Sequence, residues 1–452
     1  MTSGSVSVLI ALFLTWISIT GKNNFILLAL GGILMLVICF LSVKTALTVL
    51  VMSMLLSPEI GVGSTAKREI TIRFDDMLLS VITLGWLLRM AVLKDVGFMR
   101  KNMLNWPILS FCVLAVLSTS LGVLRDSVTI MSGTFFVLKL IEYFFLFYMV
   151  INYIDTEKDI YFFTNMLLIV CGIVCIYGLF QVAMGGDVAA PFEGSRGERN
   201  TLGGYLVLIA SIAGGLLFYR DRGKSRLPLI VLLTGIIATL LFSLSRSGWS
   251  GLLVSFAALF IIAKKFKVFV VLLLLCVPLV PLLIPEKAKE RFEYTFTEAY
   301  AAHRKQIKIL GVQLDGSSSA RLRSYGLVLR EIPNRLFLGY GITGFAFVDG
   351  QFFRVLSEMG IIGLAVFIWL LVAVYRLTVR AKKLDIPDTV KGMITGFQAG
   401  FWGVIMHALT ANTFIIIRIA EPFWFFAGLI TVVTLLYNKK DTFETDAIAL
   451  PQ

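Results

Sequence analysis

The sequence predicts an all-α polytopic membrane protein, with about fourteen membrane helices (roughly 12–14) and one large loop outside the bilayer. Three observations predict it. Hydrophobic residues make up 58% of the 452 residues and charged residues 15%, whereas a soluble domain is nearer half apolar and a quarter charged. The apolar residues gather in runs of about 17–25, the length that crosses a bilayer as helix. Most of the charge falls between these runs, and mean hydropathy is +0.88.

Spans are expected near 6–20, 25–42, 44–57, 75–93, 106–124, 133–153, 160–184, 201–219, 227–243, 248–263, 268–284, 352–375, 392–412 and 419–437, of which 44–57 is short for a full crossing. The first follows "MTSG", which has no positive charge. A cleaved leader would have a basic start, so 6–20 reads as a retained span. This divides the chain into helices 1–11 over 1–284, a cap loop over 285–350, and the last three helices with a tail over 351–452.

Orientation follows from loop charge. "KDVGFMRKN" (94–102), "RDRGKSR" (220–226), "KKFK" (264–267), "RLTVRAKK" (376–383) and "NKK" (438–440) fall on one side, which is then the cytoplasm. An even number of spans puts both termini there. The net charge of +13 is thereby explained without nucleic acid. The other side carries "STAKREITIRFDD" (64–76), "GGDVAAPFEGSRGERN" (185–200), "LSRSGWS" (244–250) and the long loop 285–350. Within that loop Phe292, Phe296, Tyr300 and Ile307 recur at helical spacing beside many cations, which predicts an amphipathic helix over 285–310 on the outer leaflet or over a cavity. The five cysteines all lie in apolar runs and read as packing residues, not as a disulfide framework. Two histidines make a histidine-based metal site a poor fit.

The outer side gathers arginine from three loops. Arg196 and Arg199 stand directly before a span, where a planar guanidinium suits phosphate oxygens and Asn200 or Thr201 caps the next helix. Arg246 sits in a link of almost nothing but Ser, Arg and Gly, too short to leave headgroup depth. It reads as a phosphate ligand or as an arginine snorkelling to lipid. Arg321, Arg323, Arg330 and Arg335 follow, then the turn Gly339-Tyr340-Gly341, which lets backbone and Tyr340 approach a ligand. Arg321 and Arg323 are expected just before a helix, so that phosphate meets both side chains and a helix N-terminus. Arg330 and Arg335 read as a solvated face.

The acids near this side are Asp349, Glu358 and Glu421. A general base needs a carboxylate within hydrogen-bond reach of the hydroxyl it deprotonates, and Asp349 is best placed, at the mouth of a span. Glu358 lies about two turns deeper, as a substrate contact or as a buried partner of Arg354 at i,i+4. Lys139 with Glu142, and Arg418 with Glu421, are three residues apart inside spans. Each reads as an ion pair, and the second pair lies near enough the outer side to contact substrate.

Together these segments resemble a family. "SLSRSGW" between two spans, "ARLRSYGLVLREIPNRLFLGYGITGF" closing the long loop, "DGQFFRVLSEMGIIGL" entering a span and the upstream "RGERNTLGGYL" are similar to the O-antigen ligase/polymerase superfamily, most strongly over about 190–365. The resemblance implies a GT-C-like fold and an inverting, metal-independent glycosyltransferase with no cofactor. It implies a site facing outward from the bacterial inner membrane. The substrates it implies are undecaprenyl-diphosphate-linked oligosaccharides, and the implied partners are a flippase and a chain-length-regulating co-polymerase. The ligases carry a histidine near the end of the long loop, where this chain has Asp349-Gly350; His303 and His407 stand elsewhere. The difference favours a polymerase of repeat units over a ligase or a protein O-oligosaccharyltransferase. On that reading Asp349 and Arg246 are catalytic, and Arg196, Arg199, Arg321, Arg323, Tyr340, Glu358, Arg418 and Glu421 hold diphosphate or sugar. A lipid-linked oligosaccharide flippase is the alternative of another class; it should carry ionisable residues through many spans and broken helices at mid-depth.

Overall fold

A computed structural model describes residues 25–64, 69–93, 100–186, 188–191, 199–220, 223–276, 308–309, 312–313 and 316–448. The first expected span, 6–20, lies outside them, as does most of the amphipathic stretch 285–310. The described part is a helical bundle with two small hairpins. Its elements are α1 (Phe25–Leu41), α2 (Val43–Ser53), β1 (Glu59–Ser64), β2 (Glu69–Arg73), α3 (Phe74–Leu93), α4 (Asn105–Leu124), α5 (Ile130–Tyr153), α6 (Glu157–Ala183), α7 (Arg199–Phe218), α8 (Leu227–Phe242), α9 (Arg246–Ile262) and α10 (Phe266–Cys276). Then come β3 (Lys308–Ile309), β4 (Val312–Gln313), α11 (Gly316–Glu331), a 3₁₀ turn (Ile332–Arg335), α12 (Gln351–Ala381), α13 (Asp388–Ala408) and α14 (Ile417–Ile448).

Six of these are long and apolar enough to cross a membrane: α4, α5, α6, α7, α12 and the part of α14 over Ile417–Asn438. The outer surface agrees. Leu124, Ile130, Met131 and Ile176 are 71–83% exposed, on a scale that a water-soluble monomer does not show. The chain is a polytopic membrane protein. α2 has 11 residues, about 16 Å of helix, so the expected span at 44–57 is too short to cross. The outer segment read as a plain loop at 64–76 is partly an antiparallel hairpin, pairing Glu59 with Arg73 and bulged between Gly61 and Gly63. Lys308–Ile309 pairs with Val312–Gln313, so the helix expected to reach 310 does not; β-branched Ile309 and Val312 suit the short ladder.

α7 and α14 are the central helices, each 89% buried over its apolar window. α7 packs on α13, and α13 on α9, through glycine. A Cβ on Gly215 would sit 2.3 Å from Gly392 O, and one on Gly403 would sit 2.7 Å from Gly251 O. Small residues at such crossings let backbones touch where no hydrophobic effect drives helices together. This close stack brings the first turns of α7 and α9 and the last turn of α13 to one end of the bundle, where the site forms.

α12 is not one rod. Gly360 has φ 69° and ψ −167°, and divides it into two segments. The turn at 336–341 fills the gap: Tyr340 N and Gly341 N donate to Ser357 O and Glu358 O (3.0 and 2.9 Å), and Ile361 N donates to Leu336 O (2.8 Å). A break inside a bilayer is tolerated when protein satisfies its backbone groups.

Candidate functional site

The link from α8 to α9 is three residues, Ser243–Ser245. Leu244 takes φ 57° there, an uncommon conformation for a branched side chain. Ser245 then caps α9, its Oγ accepting from Gly248 N at 3.2 Å, so Arg246 is the first helical residue. The serines on either side of it are tied to α7. Ser245 Oγ and Ser247 Oγ both donate to Asn200 Oδ1, at 3.0 and 2.9 Å. Asn200 was expected to cap α7; its side chain holds the neighbouring helix instead.

Arg246 Nη2 donates to Ser317 Oγ at 2.6 Å, and Ser317 lies in the first turn of α11. One turn on, Arg321 Nε is 3.4 Å from Asp349 Oδ2, with side chains 21% and 36% exposed. A further turn on, Tyr325 stacks on Phe353 (4.1 Å, 7°) and its hydroxyl donates to Leu409 O at 2.9 Å. Residues 317, 321 and 325 are spaced by four, so one face of α11 carries all three contacts. Arg321 and Arg323 were expected just before a helix. They lie inside α11, which the run Gly316-Ser317-Ser318-Ser319 opens a turn earlier. Arg323 Nε turns to Ser319 O of its own helix at 3.3 Å.

Asp349 is positioned by the turn between α13 and α14. Asn412 Nδ2 donates to Val348 O (3.0 Å), Gln351 N to Ala411 O (3.1 Å) and Phe414 N to Gln351 Oε1 (3.0 Å). Gly350 has φ 98°, and a Cβ there would lie 2.5 Å from Tyr325 Oη. Only glycine lets the Asp349 loop run so close under Tyr325. Fully buried His407 anchors the same turn, its Nδ1 2.8 Å from Thr413 Oγ1. Its sequence position gives no hint of this, because the contact depends on the α13–α14 turn.

Arg246 at the start of α9, Arg321 in α11 and Asp349 in the loop before α12 therefore lie in one connected group. Arg199 opens α7 beside Asn200 at the same end; Arg196 lies outside the described residues. The first turns of α7, α9 and α11 also meet here. Helix N-termini and guanidinium groups both favour an anion, and Asp349 is the carboxylate among them.

The remaining candidates sit elsewhere. Tyr340 lies under Arg335 (4.5 Å from cation to ring centre) and donates to Glu331 O, while Arg335 Nη1 donates to Ser127 Oγ at 2.8 Å. Arg335 thus belongs to a packed cluster, not a solvated face. Glu358 is buried, pairs with Arg354 at 3.3 Å and accepts from Thr343 N, matching the buried-pair alternative. Arg418 and Glu421 are fully buried; Arg418 donates to Pro191 O and Ser57 O at 3.0 and 3.2 Å. Lys139 reaches Asp76 at 2.9 Å, and Arg73 reaches Asp75 at 2.7 Å. A buried ionic cluster thus spans α3, α5 and α14.

Residues 229–368 match the model of a family described as O-antigen ligase. No curated protein matches the chain. The matched segment holds Arg246, Arg321 and Asp349, and it supports the resemblance to the O-antigen ligase/polymerase superfamily.

Proposed function

We propose that this protein is a membrane-embedded, inverting glycosyltransferase that polymerises undecaprenyl-diphosphate-linked oligosaccharide repeat units on the outer side of the bacterial inner membrane. Family members are glycosyl-transferring enzymes, and the observation that carries the finer reading is the Arg246–Ser317 and Arg321–Asp349 chain at an end where three helices begin. The donor diphosphate binds between Arg246 and Arg321. An acceptor hydroxyl attacks the anomeric carbon from the opposite face of the sugar, its proton passes to Asp349, and the bond to the diphosphate breaks. Undecaprenyl diphosphate leaves with the electron pair, its charge held by the arginines. Diphosphate competes with Asp349 for Arg321, so donor binding frees the carboxylate that the reaction needs. No metal or cofactor is required on this scheme, and a flippase and a co-polymerase would act before it and alongside it.

Asp349 where the ligases have histidine favours a polymerase over a ligase. The broken α12 and the buried ionic cluster are features a transporter also uses. One experiment separates these readings: the purified protein is given a lipid-linked repeat unit and the products are resolved by size. A ladder of polymer is expected. Transfer only to an added lipid or protein acceptor would indicate the ligase, and no covalent product with intact lipid translocation would indicate the transporter.

A further inference from the structure

Asn200 carries no charge and stands 46 residues before Arg246, yet its side chain holds both flanks of that arginine. Its Oδ1 accepts from Ser245 Oγ at 3.0 Å and from Ser247 Oγ at 2.9 Å. Ser245 also caps α9 through Gly248 N. The helices meet here almost backbone to backbone. A Cβ on Gly203 would lie 2.7 Å from Ser245 Oγ, and one on Gly248 would lie 3.1 Å from Gly203 Cα. Ser245 and Ser247 are both buried. The link preceding them passes through Leu244 at φ 57°, so the start of α9 is a place where backbone strain is held by its surroundings. Two hydroxyls converging on one amide oxygen fix both the axial position and the rotation of the first turn of α9.

We propose that Asn200 is a positioning residue for the diphosphate-binding arginine: its amide oxygen, through Ser245 and Ser247, sets where Arg246 stands. The inference rests on the assignment of Arg246 to the donor diphosphate. Without the acceptor, α9 remains a helix packed on α7 and α13, but its first turn loses the two bonds that register Arg246 against Ser317. A shift of about 1 Å in such a group costs on the order of 10²-fold in rate. Asn200 therefore acts on turnover through Arg246 and adds little to the fold.

The test is a double-mutant cycle between Asn200→Leu and Arg246→Lys, with kcat, KM and thermal stability in detergent measured for each. Asn200→Leu keeps size and removes the acceptor. It should lower kcat by about ten- to a hundred-fold with little change in melting temperature. Ser247→Ala should follow it in the same direction, and Ser247→Thr, which keeps the hydroxyl, should retain activity. The double variant should be no slower than Arg246→Lys alone, because a misplaced arginine and a replaced one lose the same interaction. Additive losses in kcat, or a fall in melting temperature that accounts for the lost activity, would make Asn200 a structural residue only. If Arg246→Lys is impaired and Asn200→Leu is not, the positioning role fails while the diphosphate assignment stands. If Arg246→Lys binds donor and turns over like the wild type, both fail.

Discussion

At the scale of single residues, the site separates the geometry of a cation from its charge. Arg246→Lys keeps the charge and loses the planar fork, and it also gives up the reach to Ser317. Polymer formation should fall by about 10²-fold or more at normal protein level, read from glycan length in cells and from kcat in vitro. On the proposed scheme Asp349, the ion-pair partner of Arg321, is also the proton acceptor. Asp349→Asn keeps the size and an oxygen facing Arg321 but loses the base, so it should cost about 10²-fold in kcat or more. Asp349→Ala should lose at least as much in kcat, while donor diphosphate, no longer competing with a carboxylate for Arg321, still binds. An Asn variant with near-normal kcat and an inactive Ala variant would leave Asp349 as a sugar or arginine ligand only. On the proposed scheme the arginines neutralise the diphosphate in place of a divalent cation, so activity should survive EDTA; loss on chelation and return with Mg²⁺ or Mn²⁺ would reassign that role. Arg246, Arg321 and Asp349 were legible in the sequence because charge beside apolar runs is rare and conspicuous. Asn200, Ser247 and His407 were not, because neutral polar groups acquire their partners only when α7, α9 and the α13–α14 turn come together.

At the scale of elements, α12 shows what periodicity hides. Its sequence reads as a single span over 352–375, with Arg354 and Glu358 near its start, and it contains glycine at both 360 and 363. Nothing local distinguishes the two. Gly360 takes φ 69° because the turn at 336–341 inserts against it, and a Cβ there would lie 2.3 Å from Phe337 O. Gly360→Ala must either adopt a left-handed conformation against backbone or expel the turn, which also holds Thr343 against Glu358. A loss of about 2–4 kcal/mol is expected, seen as a lower melting temperature in detergent and faster proteolysis of the loop before α12. Gly326→Ala in α11 is the control, since a Cβ there meets nothing within 4 Å. It should be neutral or slightly stabilising, as alanine favours helix. Equal damage from both would mean that the break in α12 is not what the glycine serves.

At the scale of the whole molecule, the membrane class and most helix positions could be read from hydropathy, because bilayer thickness sets both length and composition. Pairing of the internal charges could not. Spacing along one helix suggests Arg418 with Glu421, but the fold brings Arg418 to carbonyls of the loop before α7 and of the stretch between α2 and β1, and Arg73, Asp75, Asp76, Lys139 and Glu142 to the same region. Arg418 lies in the field of Asp75, while neither oxygen of Glu421 has a hydrogen-bond partner among the described residues. The cluster thus joins the hairpin side of the bundle to α14, and its cation matters more than its last acid. Arg418→Met should cost about 3–5 kcal/mol, because it strands buried acids and two carbonyls together. Glu421→Gln removes a charge without removing a bond and should change stability by less than about 1.5 kcal/mol. Adding Glu421→Gln to Arg418→Met should recover part of the loss. Melting in detergent across the four proteins decides the matter. Should Arg418→Met stay as stable as the wild type yet make no polymer, the pair would be a substrate contact reached in another conformation, and the cluster would not be a structural joint.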